Sequence, residues 1–236
     1  MKRRKLGQHY LVDRDVVGRI VALADIRPTE RVLEIGTGRG ALTKELAGLG
    51  ASYLGYEVDR RNFEETWKVV PGRRARVVLA DAFEQRPEFD VLVSSLPYSE
   101  SSDFVQWLSQ IDFARAVVVL QDDFVRKITA PPGARDYRGV SALSQLCFDV
   151  RVIERVRRES FSPPPKVGSV IVSFSPRIRI GGDEVSAIYR LFSLRRRRVD
   201  SALVELGMKQ EESFGERRVY SLLPREVHLL CLPRHQ

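Results

Sequence analysis

Cysteine is scarce in this chain of 236 residues. There are two, Cys147 and Cys231. They are too few for a disulfide framework and lack metal-ligand spacing, so the pattern suggests a reducing compartment. Long apolar runs are missing too. None approaches the ~20 residues that a membrane-spanning helix needs. The basic start, Met1-Lys2-Arg3-Arg4-Lys5-Leu6-Gly7-Gln8, has no apolar segment of the secretory kind. The expectation is a cytoplasmic protein with no membrane partner. Internal repeats and low-complexity tracts are also absent. Lysine is thin: only positions 2, 5, 44, 68, 127, 166 and 209 carry it, so 32 of the 39 basic residues are arginine.

Positive charge and apolar content are what the chain has. The net charge is +8, and 43% of residues are hydrophobic, enough for a real core. Arginine forks match phosphate geometry and stack on bases. The basic residues cluster at 2–5, 73–76, 155–158 and 195–198. That clustering favours a nucleic-acid partner over a chain-wide arginine bias.

The stretch Val32-Leu33-Glu34-Ile35-Gly36-Thr37-Gly38-Arg39-Gly40 organises the rest. It reads as a short strand, a glycine-rich turn and the start of a helix. Its third glycine comes one residue earlier than in the dinucleotide fingerprint. Glu57 ends the next apolar run, about 20 residues on, where a second strand delivers a carboxylate to ribose hydroxyls. Together these point to a nucleoside cofactor, S-adenosylmethionine rather than NAD. Asp81, after a third strand at 75–79, is placed to accept from an adenine amine, with Ala82 beside it and Phe83 as cover; a turn cap is the alternative role for Asp81. A fourth strand, 90–94, leads into Ser95-Leu96-Pro97-Tyr98. A proline there exposes the Leu96 carbonyl rigidly, and Tyr98 offers a flat face to a base. An exocyclic base amine is a poor nucleophile until acceptors take its N–H groups and favour the pyramidal form. The base must be unpaired or flipped to reach such a pocket.

The other elements follow the same rhythm. Asp13 caps a helix to about Ala24, and helices are expected at 41–49, 60–70, 102–110, 122–130 and 140–147. A fifth strand at 116–120 is apolar throughout. Two more, 150–156 and 169–174, are joined without a helix. The pattern predicts an α/β, doubly wound and mostly parallel sheet with an antiparallel edge. After Pro176, Gly181-Gly182 reads as a linker to helices at 183–193, 197–206 and 225–230. The expected domains are 1–178, for cofactor and chemistry, and 179–236, a small helical unit. Trp107 and His228 read as structural.

The residues resemble a known family. Lys5-Leu6-Gly7-Gln8-His9-Tyr10-Leu11-Val12-Asp13, the glycine motif, Glu57, Asp81-Ala82, Leu96-Pro97-Tyr98 and Phe161-Ser162-Pro163-Pro164-Pro165-Lys166-Val167-Gly168-Ser169 occur in the order seen in the ribosomal RNA adenine dimethyltransferases. The resemblance implies a Rossmann-like class I methyltransferase. It implies N6,N6-dimethylation of adenosines near the 3′ end of small-subunit ribosomal RNA, on a pre-30S-type particle during subunit maturation. Carried over by position, His9, Leu11, Glu34, Gly36, Gly38, Glu57, Asp81, Ala82 and Ser95 are cofactor-contacting places. Ser95, Leu96, Pro97 and Tyr98 are the catalytic segment. Arg3, Arg4, Lys5 and Arg195, Arg196, Arg197 and Arg198 are expected to meet RNA. A monomer is expected.

Ser95 departs from the family pattern, which has asparagine there. A serine hydroxyl is shorter and has no separate NH2 donor. Glu100, just after Tyr98, puts an acid where the family tends to be uncharged. Two functions follow: a working RNA adenine methyltransferase slowed by the change at Ser95, or a catalytically weak or inactive ribosome-assembly factor that keeps the fold. The intact cofactor positions favour the enzyme.

Overall fold

The computed structural model describes residues 9–49, 51–70, 74–208 and 213–232. The chain opens with a two-residue strand, β1 (Tyr10–Leu11), then α1 (Arg14–Ala24), whose first N–H groups, on Asp15 and Val16, donate to the Asp13 carboxylate. A strand–helix alternation follows: β2 (Arg31–Ile35), α2 (Ala41–Gly48), β3 (Ser52–Glu57), α3 (Arg60–Trp67), β4 (Ala75–Leu79), β5 (Val91–Ser95), α4 (Ser101–Leu108), β6 (Arg115–Gln121) and α5 (Asp122–Ile128). Then come α6 (Gly139–Cys147), β7 (Phe148–Val156), β8 (Phe161–Ser162), β9 (Ser169–Pro176), α7 (Gly182–Ser193), α8 (Val199–Glu205) and α9 (Pro224–Cys231). Gly182 is the first residue of α7 rather than part of a linker. Most other boundaries fall within two residues of the sequence reading; α3 and α8 are shorter.

Seven strands form one sheet in the order β4-β3-β2-β5-β6-β9-β7. Pairs among β4, β3, β2, β5 and β6 are parallel, while β9 runs antiparallel to both β6 and β7. The expected antiparallel edge is therefore present, with β9 inserted between β6 and the outer strand β7. Strands β5 and β6 are apolar on both faces because both faces are covered. Val91, Val93, Val117 and Val119 pack towards α1 and α2, whereas Leu92, Val118 and Leu120 pack with α4 and α6. The expected boundary at residue 178 falls between β9 and α7. Beyond it, Ile188, Leu191, Ala202, Leu203 and Val227 are buried in continuity with the core on that second face.

The chain winds outward from β2 through β3 to β4, then returns to lay β5 on the other side of β2. The winding reverses between β2 and β5, and the crevice beyond the carboxyl ends of strands at such a reversal is where open α/β sheets bind ligands. A small second sheet stands over that end, where β1 pairs antiparallel with β8.

Candidate active site

The glycine loop after β2 has positive φ at Gly36 (74°), Gly38 (52°) and Gly40 (80°), which explains three glycines in five residues. Gly38 is held on every side. Its N–H donates to Glu57 Oε2 at 2.8 Å, and its carbonyl accepts from the Thr66 hydroxyl at 2.8 Å. A Cβ added there would lie 3.3 Å from the Tyr10 ring. Tyr10 in turn donates its hydroxyl to Asn62 Oδ1 at 3.2 Å, and the Arg39 guanidinium lies 4.4 Å from the ring centroid. Glu57 Oε1 accepts the N–H groups of Val58 and Asp59, both at 2.9 Å. Burial pushes this carboxyl upward, and the three backbone donors work against the push.

Glu34 is placed differently from the sequence expectation. It is 1% exposed. Its Oε2 accepts from the hydroxyls of Tyr53 at 2.5 Å and Thr43 at 2.8 Å, both within the core. Burial raises its carboxyl to about 8. At that burial it supports the loop from beneath and does not line a ligand surface, so its expected cofactor contact is corrected. Sequence reading overreached because the motif's acid and glycines are adjacent in the chain, yet the pleat sends the acid inward.

Asp81 follows β4 and is exposed, with Oδ1 accepting from Phe83 N–H at 2.9 Å. The alternative role, a turn cap, is thus present, and the carboxylate still stands at the ligand end of the sheet. Ala82 is buried. Ser95 ends β5 and is half-buried, and the Leu96 side chain is buried. Pro97 faces the glycine loop: a Cβ on Gly36 would lie 3.7 Å from its Cδ. The Tyr98 hydroxyl shares a hydrogen bond of 2.6 Å with the Ser169 hydroxyl at the start of β9. The Glu100 carboxylate accepts from the Ser99 hydroxyl at 2.9 Å.

The leader and the proline segment, distant in sequence, close over this end together. Val12 N–H donates to the Ser160 carbonyl at 2.9 Å, and the Ser160 hydroxyl donates to Asp13 at 2.8 Å. His9 Nδ1 lies 2.7 Å from the Pro163 carbonyl, with its ring 5.5 Å from that of Tyr98. Leu11 is buried. Arg3, Arg4 and Lys5 lie outside the described residues. Arg195–Arg198 occupy the turn between α7 and α8, and the helix expected from Arg197 begins at Val199. Arg197 pairs with Glu205 at 3.7 Å and Arg198 with Glu216 at 3.0 Å. Trp107 is buried, donating to the Gln85 carbonyl at 3.0 Å. His228 Nδ1 lies 2.5 Å from the buried Glu184. Thr66 and Asn62 carry no motif of their own and were missed; Ser169 closes the proline-rich segment, but its bond to Tyr98 was not expected.

The model of the ribosomal RNA adenine dimethylase family matches residues 1–219. The chain belongs to that family. It is 34% identical over 238 residues to a probable ribosomal RNA small subunit methyltransferase A of Pyrococcus abyssi, covering 94% of this chain and 88% of that one. A ribosomal RNA small subunit methyltransferase A of Geobacter metallireducens is 36% identical over 225 residues, with 87% and 82% covered. Among solved structures, a dimethyladenosine transferase from Plasmodium falciparum superposes with TM-score 0.77 at 25% identity, covering 95% and 96% of the two chains. The 23S rRNA methyltransferase ErmE gives 0.64 at 28% identity, covering 94% and 97%. The class I methyltransferase fold of the family is thus present in full. Among the described residues no helix is long and apolar enough to cross a membrane.

Proposed function

We propose that this adenine dimethylase-family enzyme transfers methyl groups from S-adenosylmethionine to adenosine N6 near the 3′ end of small-subunit ribosomal RNA, as a cytoplasmic monomer acting on a maturing pre-30S-type particle. One observation carries the reading: in the loop that follows β2, Gly38 is locked by Glu57, Thr66 and Tyr10 while Gly36 faces Pro97 of the Ser95–Tyr98 segment across the winding reversal of the sheet.

The residues present fit the cofactor. Gly36 and Gly38 carry no side chain and both have positive φ, and at Gly38 a Cβ would crowd the Tyr10 ring at 3.3 Å. Glu57 is fixed at the end of β3, where it can accept from ribose hydroxyls, and Asp81 can accept from an adenine amine. His9, Leu11 and Ala82 complete the enclosure. When bound, the cofactor supplies an electrophilic methyl on sulfonium, so the protein needs no nucleophile of its own. The Leu96 carbonyl and the Ser95 hydroxyl accept the N–H groups of the target amine and favour its reactive form. Tyr98, steadied by Ser169, stacks on the unpaired base. The nitrogen sheds a proton to water as it is alkylated; the two acceptors orient the amine and do not take the proton up.

The named Pyrococcus and Geobacter relatives act on small-subunit RNA, which supports this acceptor, while the ErmE likeness suggests large-subunit RNA as the competitor. Incubation of small-subunit precursor particles and of large-subunit RNA with labelled cofactor tests the choice. Label at N6 of small-subunit adenosines is expected. Label confined to large-subunit RNA overturns the acceptor, and label on neither favours the assembly-factor reading.

A further inference from the structure

The arginine run divides into two kinds. Arg197 and Arg198 are tied to glutamates, as described. Among the described residues no ion pair involves Arg195 or Arg196, nor Arg135, Arg138 or Arg218 on neighbouring segments. These five meet. The loop 129–138, between α5 and α6, touches the C-terminal segment through Gly133 N–H on the Tyr220 carbonyl at 2.8 Å. Arg195 Nη1 donates to the Arg135 carbonyl at 3.4 Å, and Arg138 Nη1 donates to the same oxygen. Arg218 donates to the Arg196 carbonyl alongside. Two guanidinium groups from separate segments thus converge on one neutral acceptor. Burial and the cations Arg138 and Arg196 hold Arg195 below the ordinary arginine range, with Asp136 and Tyr220 opposing weakly. Like charges gathered in this way repel until an anion joins them.

The cluster stands at the ligand end of the molecule. Strand β9 is antiparallel to β6 and so finishes at the amino ends of the parallel strands. There Ile180 N–H donates to the Ser109 carbonyl, just past α4. The 12 residues of α7 then run roughly 18 Å back along the sheet. On the way Tyr189 passes 3.4 Å from the Ser102 hydroxyl in the first turn of α4, next to the Tyr98 segment. The turn bearing Arg195 therefore emerges on the side where a target base has to enter.

We propose that Arg138 and Arg195 form a pincer for one backbone phosphate of the RNA strand whose adenosine enters beside Tyr98. The assignment rests on the RNA methyltransferase reading above. Two non-bridging phosphate oxygens suit two guanidinium forks, and nothing in the pair reads base identity.

The test uses the full-length protein and a synthetic hairpin carrying the 3′-terminal helix of small-subunit RNA. Affinity is read by fluorescence anisotropy across a salt series, and methyl transfer is read separately. Arg138→Gln and Arg195→Gln should each weaken binding about tenfold and flatten the salt slope by about 0.7–0.9. Because both grip one phosphate, the double variant should lose little more than either single. Arg179→Gln removes a charge beside Asp112 at the opposite end of the sheet and should change neither quantity. Equal melting temperatures confirm that each variant folds. Wild-type affinity and slope in both variants overturn the pincer, as does a double-variant loss equal to the product of the singles. If the variants lose grip while the wild type transfers no methyl, the pincer stands and the enzymatic reading falls. If the wild type does not bind the hairpin, both fall.

Discussion

Replacing Glu34 by glutamine neutralises a buried carboxylate and keeps its two hydrogen bonds. The Tyr53 and Thr43 hydroxyls both donate to Oε2, so an amide oxygen in that place accepts both. Burial lifts the Glu34 carboxyl from 4.5 to about 8. The folded protein therefore holds this proton more tightly than the unfolded chain. Its contribution to stability is full below about pH 4.5 and drains away as the pH climbs to about 8. At about 1.36 kcal/mol per pH unit, that span corresponds to roughly 5 kcal/mol, and relaxation of the site brings it to the order of 3–5 kcal/mol. In a chain of this length each kcal/mol moves the melting temperature by about 2–4 °C. Glu34→Gln should therefore melt on the order of 10 °C above wild type at pH 9, with the gap closing at pH 5. Thermal unfolding followed by circular dichroism across that range reads it. Cofactor affinity should stay within about threefold of wild type, because Glu34 lies beneath the loop. Parallel melting curves at all pH values, or a variant less stable at pH 9, would refute the burial argument. A large loss of cofactor affinity would return Glu34 to the contact set.

Two further variants probe the base side of the pocket. Ser95→Asn restores a longer acceptor with its own NH2 donor and should raise turnover, by up to about 10²-fold if this acceptor limits the chemistry; single-turnover methylation that is unchanged or slower would count against the assigned role. Ser169→Ala removes the partner of the Tyr98 hydroxyl, a bond worth about 1 kcal/mol, and should cut kcat/KM for RNA about fivefold. Cofactor affinity should not move in that variant, and a fall there instead would place Ser169 on the wrong side of the site.

The order of strands and helices was legible because glycine turns, caps and apolar runs are local signals. Asp13 capping α1, the glycine loop and Glu57 nineteen residues beyond Gly38 could all be read in one pass along the chain. Orientation was harder. Glu34 sits inside a motif full of ligand contacts, but its side chain points into the core, which spacing alone does not reveal. Contacts between remote segments were hidden for the same reason. The leader and the proline segment each stood out, but their pairing as β1 and β8 depends on the closed fold. Thr66 on the Gly38 carbonyl and Arg138 beside Arg195 come from segments with no motif. Arg197 and Arg198 resembled a helix start because basic residues are neutral to that choice, and the bridge between Arg198 and Arg218 delays the helix to Val199.

The central claim is that the loop at Gly36–Gly38 and the carboxylate of Glu57 hold S-adenosylmethionine. Isothermal titration of the purified protein with that cofactor, or with its demethylated product, measures this directly. One site with heat of binding is expected, weakened about thirtyfold or more in Glu57→Gln, where the amide NH2 turns a charge-assisted bond of about 2 kcal/mol at Gly38 N–H into a donor–donor clash. No heat with either compound, or equal affinity in Glu57→Gln, would contradict the account.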